Sequence, residues 1–244
     1  MKNVLIIGAT SAIATAFAKR ISTYCQSIVL VGRSPDKLSS LREELEKFGS
    51  ARIFSEILDF NLLVSHQSFI QRIVETYSID TVLIAHGTSV NQKLAEKNFS
   101  DQIGCFEVNF LSTISLLTPI ANIFETRKNG VIAVISSVAG DRGRQSNYIY
   151  GSTKSALSAY LSGLRGRLHS SKVHVLTIKP GMVKTPMTSN HKKVRLTTSP
   201  EVVARDIENA IRKRKNVIYT PAYWRFIMLA LRLVPEYFFK YLKF

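Results

Sequence analysis

A serine, a tyrosine and a lysine stand near the middle of this chain at a spacing that can do proton chemistry: Ser137, Tyr150 thirteen residues on, and Lys154 four residues after that. A phenol titrates near ~10, too high for acid or base work at neutral pH, and an ammonium one helical turn away favours the phenolate and draws the pKa toward the working range. The stretch GSTKSALSAYLSGL carries apolar positions Ala156, Leu157, Tyr160, Leu161 and Leu164 at helical spacing, so it predicts a helix with Tyr150 and Lys154 on one face. A hydroxyl at Ser137 can hold a substrate oxygen beside them. Arg142 and Arg144, in the loop between, are candidates for contact with an anionic group of the substrate.

These residues need a frame. Residues 131–135, just before Ser136 and Ser137, form a continuous apolar run of the length of a buried strand. At the N-terminus, residues 2–7 followed by GATSAIATAFAKRIS read as strand, tight turn and helix, with Gly8 permitting the turn and Thr10 and Ser11 placed to cap. Backbone N–H groups at such a helix start, here over Thr10, Ser11, Ala12 and Ile13, point at a pyrophosphate. Further strands are predicted over 27–31, 53–58, 81–85, 173–179 and 216–220, with helices over 65–77, 101–126 and 200–213 and an amphipathic helix begun by Ser34 and Pro35. Strand and helix alternate throughout. That predicts an α/β, doubly wound fold, with a predominantly parallel seven-stranded sheet covered on both faces.

The chain has 244 residues, enough for a single domain over residues 1–220 and a distinct tail over 221–244. Cys25 and Cys105 give neither a disulfide framework nor a metal-ligand spacing, so a reducing, cytoplasmic setting without a metal is expected. The apolar run 4–7 is too short for a signal-peptide core. The net charge is +16, and no acid lies between Asp141 and Glu201 although Arg142, Arg144, Arg165, Arg167 and Lys179 do. An unopposed positive field would draw an anionic substrate, an anionic membrane or nucleic acid, and charge alone does not choose among them. The tail, PAYWRFIMLALRLVPEYFFKYLKF, is aromatic, apolar and basic at once. Arg225, Arg232 and Pro235 keep it from the ~18 to 20 apolar residues that spanning needs, and it reads as two short amphipathic helices. Such helices lie in a membrane interface, or pack on the protein body, close the active site or join subunits; these readings stay open.

Taken together, GATSAIA, Asp59, Asn109, Ser137, Tyr150-Gly-Ser-Thr-Lys154 and PGMVKT resemble the short-chain dehydrogenase/reductase family across residues 1 to about 220. The resemblance implies a Rossmann-type fold and a nicotinamide cofactor. The family's Gly-x-x-x-Gly-x-Gly turn keeps Gly8 here but has Ala12 and Ala14 at the later glycines, which narrows the approach to the phosphates. Asp59 resembles the acid that faces the adenine, and Arg33 at the second strand's end favours NADP(H), with NAD(H) possible. The family's Asn-Asn-Ala-Gly reads Ile84-Ala85-His86-Gly87 here, so Ala85 and Gly87 are expected along the cofactor and His86 as a structural side chain in the cleft. Pro180, Gly181, Val183 and Thr185 match the grip on the nicotinamide carboxamide, and residues 189–199 read as a mobile segment over the substrate. In the implied mechanism hydride passes to a carbonyl carbon, Tyr150 protonates the oxygen, Ser137 orients it, Lys154 lowers the Tyr pKa and binds the ribose, and Asn109 holds a relay water.

Within the family, SSVAGDRGRQSNYIYGSTK, KPGMVKTPM and the tail are similar to reductases that complete the epimerisation of decaprenylphosphoryl ribose, whose substrate is a keto sugar on a polyprenyl phosphate. That implies a lipid-linked ketone, peripheral contact with the inner face of a membrane, and a homo-oligomer or a membrane-associated enzyme as partner. Two alternatives stay beside it: a reductase of a membrane ketolipid, of 3-keto acyl or steroid type, and a non-catalytic NADP(H) sensor. No nucleic-acid recognition module is present in the sequence.

Overall fold

The computed structural model describes residues 1–186 and 196–242. The segment expected over the substrate falls largely outside the described residues. The core is a parallel seven-stranded sheet in the order β3-β2-β1-β4-β5-β6-β9. Its strands are β1 (Asn3–Ile7), β2 (Ser27–Gly32), β3 (Arg52–Ile57), β4 (Thr81–Ile84), β5 (Val131–Ile135), β6 (His174–Pro180) and β9 (Val217–Thr220). A small pair, β7 (Met182–Val183) with β8 (Thr197–Thr198), stands apart from it. Central strands such as NVLII and TVLI are apolar along their length because both faces are covered.

Helices α1 (Ala12–Ile21), α2 (Pro35–Phe48) and α8 (Pro200–Arg212) bury Phe17, Leu38 and Ile207 on one face. On the other, α3 (His66–Thr76), α6 (Ser112–Arg127) and α7 (Tyr148–Leu168) bury Ile70, Phe124 and Leu161. The chain leaves β1 toward β2 and β3, then returns to β4 on β1's other side. That reversal opens a crevice at the carboxyl ends of β1 and β4, where α/β sheets bind their ligands. Gly8 and the stretch from Ala85 to Gly87 meet there.

The helix expected over 101–126 is interrupted. It runs as α5 (Phe99–Phe106), a π turn (Glu107–Leu111) and α6, preceded by a short α4 (Gln92–Ala95) that hydropathy did not reveal. The stretch Phe99–Arg127 is long and apolar enough to cross a membrane by length and composition, but it sets Leu116, Leu117, Ile120 and Phe124 into the core. Two short tail helices are present, α9 (Trp224–Leu233) and α10 (Glu236–Phe239), and the inner face of α9 packs on the body through Trp224 and Met228 against Val138.

Candidate active site

The loop after β5 is pressed against α7 by two glycines. A Cβ on Gly140 would lie 2.6 Å from the carbonyl carbon of Lys154, and one on Gly151 would lie 2.8 Å from the carbonyl oxygen of Ala139. The loop therefore meets the helix backbone to backbone. Ser136, buried below, donates its hydroxyl to the Lys154 carbonyl at 3.0 Å and is 2.8 Å from the Ser158 hydroxyl. Ser137 Oγ accepts the Ala139 N–H at 3.1 Å and shares a hydrogen bond with the Tyr150 phenol. The structure thus brings Ser137, Tyr150 and Lys154 to one corner. Residue pattern alone did not mark Gly140, Gly151 or Ser136; their signal was a small-residue loop facing a small-residue helix.

Lys154 is buried, donates to the Ile135 carbonyl at 3.2 Å, and has Nζ 5.8 Å from the Tyr150 ring centre. Burial brings its ammonium down to about 8 and pushes the Tyr150 phenol up to about 12, the Ser137 hydrogen bond only partly opposing the latter. Loss of water is the largest cause at both groups and disfavours the charged form of each. Tyr150 stays protonated at neutral pH. That is the form which donates a proton.

Asn109 lies within the π turn, fully buried. Its Oδ1 accepts the Thr88 N–H at 2.7 Å, and its Nδ2 donates to the Thr88 carbonyl at 2.9 Å, to Cys105 Sγ at 3.2 Å and to Thr153 Oγ1 at 3.3 Å. One amide so ties the loop after β4 to α7. Gly87 leaves it room, since a Cβ there would sit 2.9 Å from Oδ1 and 3.5 Å from Lys154 Nζ. Thr88, Cys105 and Thr153, which sequence reasoning did not single out, complete this knot.

In the crevice, Gly8 has φ +80°, and a Cβ on it would meet the His86 backbone nitrogen at 2.5 Å. Ser11 caps α1 by accepting the Ala14 N–H at 3.4 Å, Thr10 is exposed, and Ala12 and Ile13 are half-buried. Ala14 is fully buried in the core, so this substitution fills helix-to-sheet space rather than the phosphate approach. Ala85 N–H donates to the Ile7 carbonyl at 2.8 Å, fixing the two strand ends side by side. The open helix start, the glycine cradle and the exposed Arg33 after β2 fit a dinucleotide phosphate backbone. Asp59 is exposed and its carboxylate accepts the Asn61 N–H at 3.0 Å.

His86 is structural in its contacts. Its Nε2 lies 2.8 Å from the Ser112 hydroxyl, and its ring stacks on Phe60 at 4.4 Å. Burial, then the charge of Lys154, brings its pKa down to about 3, so the ring is neutral. Beyond β6, Pro180 and Gly181 are held by the Gly181 N–H to the Thr220 carbonyl at 3.0 Å, and a Cβ on Gly181 would collide with the Trp224 indole. Val183 is buried in β7 and Thr185 half-buried just past it.

The two arginines part company. Arg142 does not face a substrate: its guanidinium donates to the carbonyls of Leu231, Arg232 and Val234, pairs with Glu236 at 2.9 Å and lies 3.6 Å from the Phe239 ring centre. Those carbonyls are left open where α9 ends, which a fork of N–H donors suits. Arg144 has a buried Nε with no partner among the described residues, and burial lowers its pKa. It lines a cavity of about 220 Å³ with Tyr148, Glu236 and Lys240. A larger hollow of about 780 Å³ beside α1 and α8 shares only Ala12 with the residues singled out in the sequence.

The basic stretch is offset in part. Lys179 pairs with the buried Asp141, Arg167 with Glu125, and Arg165 donates to Val175, Thr177 and Asn216. Acids distant in sequence fold back onto the basic stretch.

The model of the short chain dehydrogenase family matches residues 2–195. An uncharacterized oxidoreductase, Rv2073c, of Mycobacterium tuberculosis is 32% identical over 235 residues, covering 96% of this chain and 94% of the relative. The NADP-dependent 3-hydroxy acid dehydrogenase of Schizosaccharomyces pombe is 25% identical over 231 residues, 89% of each chain. Among solved structures, a short-chain dehydrogenase from Sphingobium yanoikuyae in complex with NADPH superposes with a TM-score of 0.82 at 20% identity, covering 97% of each chain. With the Ser137, Tyr150 and Lys154 corner beside a dinucleotide crevice, this chain belongs to the short-chain dehydrogenase/reductase family of NAD(P)-dependent oxidoreductases.

Proposed function

We propose that this enzyme uses NADPH to reduce the ketone of a keto sugar carried on a polyprenyl phosphate, as a peripheral protein at the cytoplasmic face of a membrane. The observation that carries the substrate reading is Arg144, a cation in a cavity beside the catalytic loop whose buried Nε lacks an acceptor. A phosphate oxygen supplies one. Arg33 supports NADPH over NADH because it stands where a 2′-phosphate would lie, and both the yeast and Sphingobium relatives are described with the phosphorylated cofactor.

The reduced nicotinamide supplies the hydride. Gly8 and the N–H groups from Thr10 to Ile13 would hold its pyrophosphate, Asp59 would face the adenine, and Ala85, Gly87, Pro180, Gly181, Val183 and Thr185 would border the rest. Ser137 holds the substrate oxygen, and Tyr150, protonated by virtue of its burial, gives that oxygen its proton. Lys154, cationic below pH about 8, favours negative charge at that oxygen and at the phenol it leaves behind. Asn109 positions the floor of the site and, in this reading, a water behind Lys154.

The test is steady-state kinetics of NADPH oxidation with a polyprenyl-phosphate 2-keto-pentose and with an uncharged long-chain ketone. Arg144→Ala is expected to raise KM for the phosphate-bearing substrate at least tenfold, about 1.4 kcal/mol, and to leave that for the uncharged ketone within twofold. Equal effects on both, or turnover of the uncharged ketone alone, would shift the assignment to a ketolipid reductase, the reading that the tail's outward apolar surface favours.

A further inference from the structure

The tail has two apolar faces, and the body covers only one. Inward, Trp224, Ile227, Met228 and Leu231 pack on Val138 and Tyr219. Outward, Phe226 and Leu233 are 71% and 73% exposed, Leu229 is exposed beside them, and α10 continues with exposed Tyr237 and Phe238, followed by exposed Tyr241. An apolar patch of this size left open beside a covered inner face marks a contact surface, so the outer face has an occupant other than water. Arg225, Arg232 and Lys240 rim this surface, and its acid Glu236 is paired with Arg142. The rim decides between occupants. A second copy would bring the same cations against these, on a chain of net charge +16, whereas an anionic bilayer supplies the complementary charge and an apolar layer for the rings.

We infer that the outer face of α9 and α10, centred on Phe226, Leu233 and Phe238, is a docking surface for an anionic lipid interface, and that Arg142 locks this surface to the catalytic loop. The lock follows from the contacts already described. Arg142 gathers the end of α9 and the start of α10, and Val138 seats Trp224; both belong to the loop that runs from Ser137 to Arg144. A docked tail so holds the mouth of the site at the lipid surface, where a substrate on a polyprenyl anchor resides. The inference rests on the proposed substrate for its purpose, but not for its test, which needs no turnover.

The experiment is co-sedimentation of the full chain with vesicles of phosphatidylglycerol and, separately, of phosphatidylcholine, together with its mass by light scattering. Wild type is expected to sediment with phosphatidylglycerol at low salt, at least tenfold more than with phosphatidylcholine, and to be released as salt rises. The double variant Phe226→Ser with Leu233→Ser is expected to lose at least tenfold of that binding, with its affinity for NADPH within twofold of wild type. A wild type that ignores phosphatidylglycerol vesicles would overturn the inference. So would binding that does not distinguish the two lipids, or a stable dimer that the double variant dissociates, which would assign the face to a second copy. If the double variant fails to bind NADPH, Phe238→Ser alone serves as the second variant, with the same expected loss of vesicle binding of at least threefold.

Discussion

At the catalytic corner, polar groups are met by short neighbours spread over several elements: Asn109 by Thr88, Cys105 and Thr153, Lys154 by the Ile135 carbonyl, Ser136 by α7. In the tail, several open carbonyls converge on the single guanidinium of Arg142. The first arrangement fixes atoms through backbone contact that glycines permit, and it tolerates no added carbon. The second is one long side chain reaching across, and it fixes an element rather than an atom. Precision is built where the proton transfer is proposed, and attachment where a surface is held. The two regions share the loop from Ser137 to Arg144, so each can be perturbed while the other is read.

The largest expected effect is at the corner. Tyr150→Phe removes the proposed proton donor and is expected to lower turnover by at least about a thousandfold, with the NADPH dissociation constant within about twofold by fluorescence titration. Gly140→Ala comes next, because its methyl meets the Lys154 backbone at 2.6 Å. We expect a loss of about 2 kcal/mol in denaturant unfolding and a fall in kcat of about tenfold, with KM nearly unchanged. A neutral Gly140→Ala would mean that the loop is not pressed on α7.

Lys154→Met is expected to end turnover yet to raise the melting temperature at pH 7 by a few degrees, a stabilisation on the order of 2 kcal/mol, since a buried ammonium is replaced by an apolar chain of like length. The sign follows from the lysine's depressed pKa. With a folded value of about 8 against an ordinary 10.5, the folded protein binds fewer protons than the unfolded one between those values, so this group's contribution to stability rises with pH from about 8 to 10.5. Thermal melts across that window should show the rise in wild type and lose it in the variant. The smallest effect is expected from Arg142→Ala: about 1 to 2 kcal/mol in stability and earlier tryptic cleavage after Arg225 or Arg232, with NADPH binding retained. If it abolished NADPH binding, the tail and the corner would not be separable.

How much of this was legible in the sequence follows the same division. Ser137, Tyr150 and Lys154 were readable because a strand end and a helical repeat of four residues fix their relative places locally. Gly8 and Ser11 were readable for the same reason, as a turn and a cap. Asn109 was expected on a long helix, and the contacts with Thr88 and Thr153 that hold its π turn lie far along the chain, beyond local pattern. Arg142 was misread because its partners are about ninety residues away, beyond any local pattern. The partial offset of the basic stretch was hidden for a like reason, since Lys179 and Arg167 find their acids across the fold. At Tyr150, spacing shows the neighbouring charge but not the loss of water that pushes the phenol up.

The most direct test of the account is a single-turnover measurement of NADPH oxidation by wild type and by Tyr150→Phe, with the polyprenyl-phosphate 2-keto-pentose, between pH 6 and pH 9. The account predicts a burst of oxidation in wild type that weakens as pH passes about 8, where Lys154 loses its proton, and no burst in the variant although it binds NADPH. A variant as fast as wild type, at any pH in that range, would contradict the assignment of Tyr150 as the proton donor and with it the mechanism built on this corner.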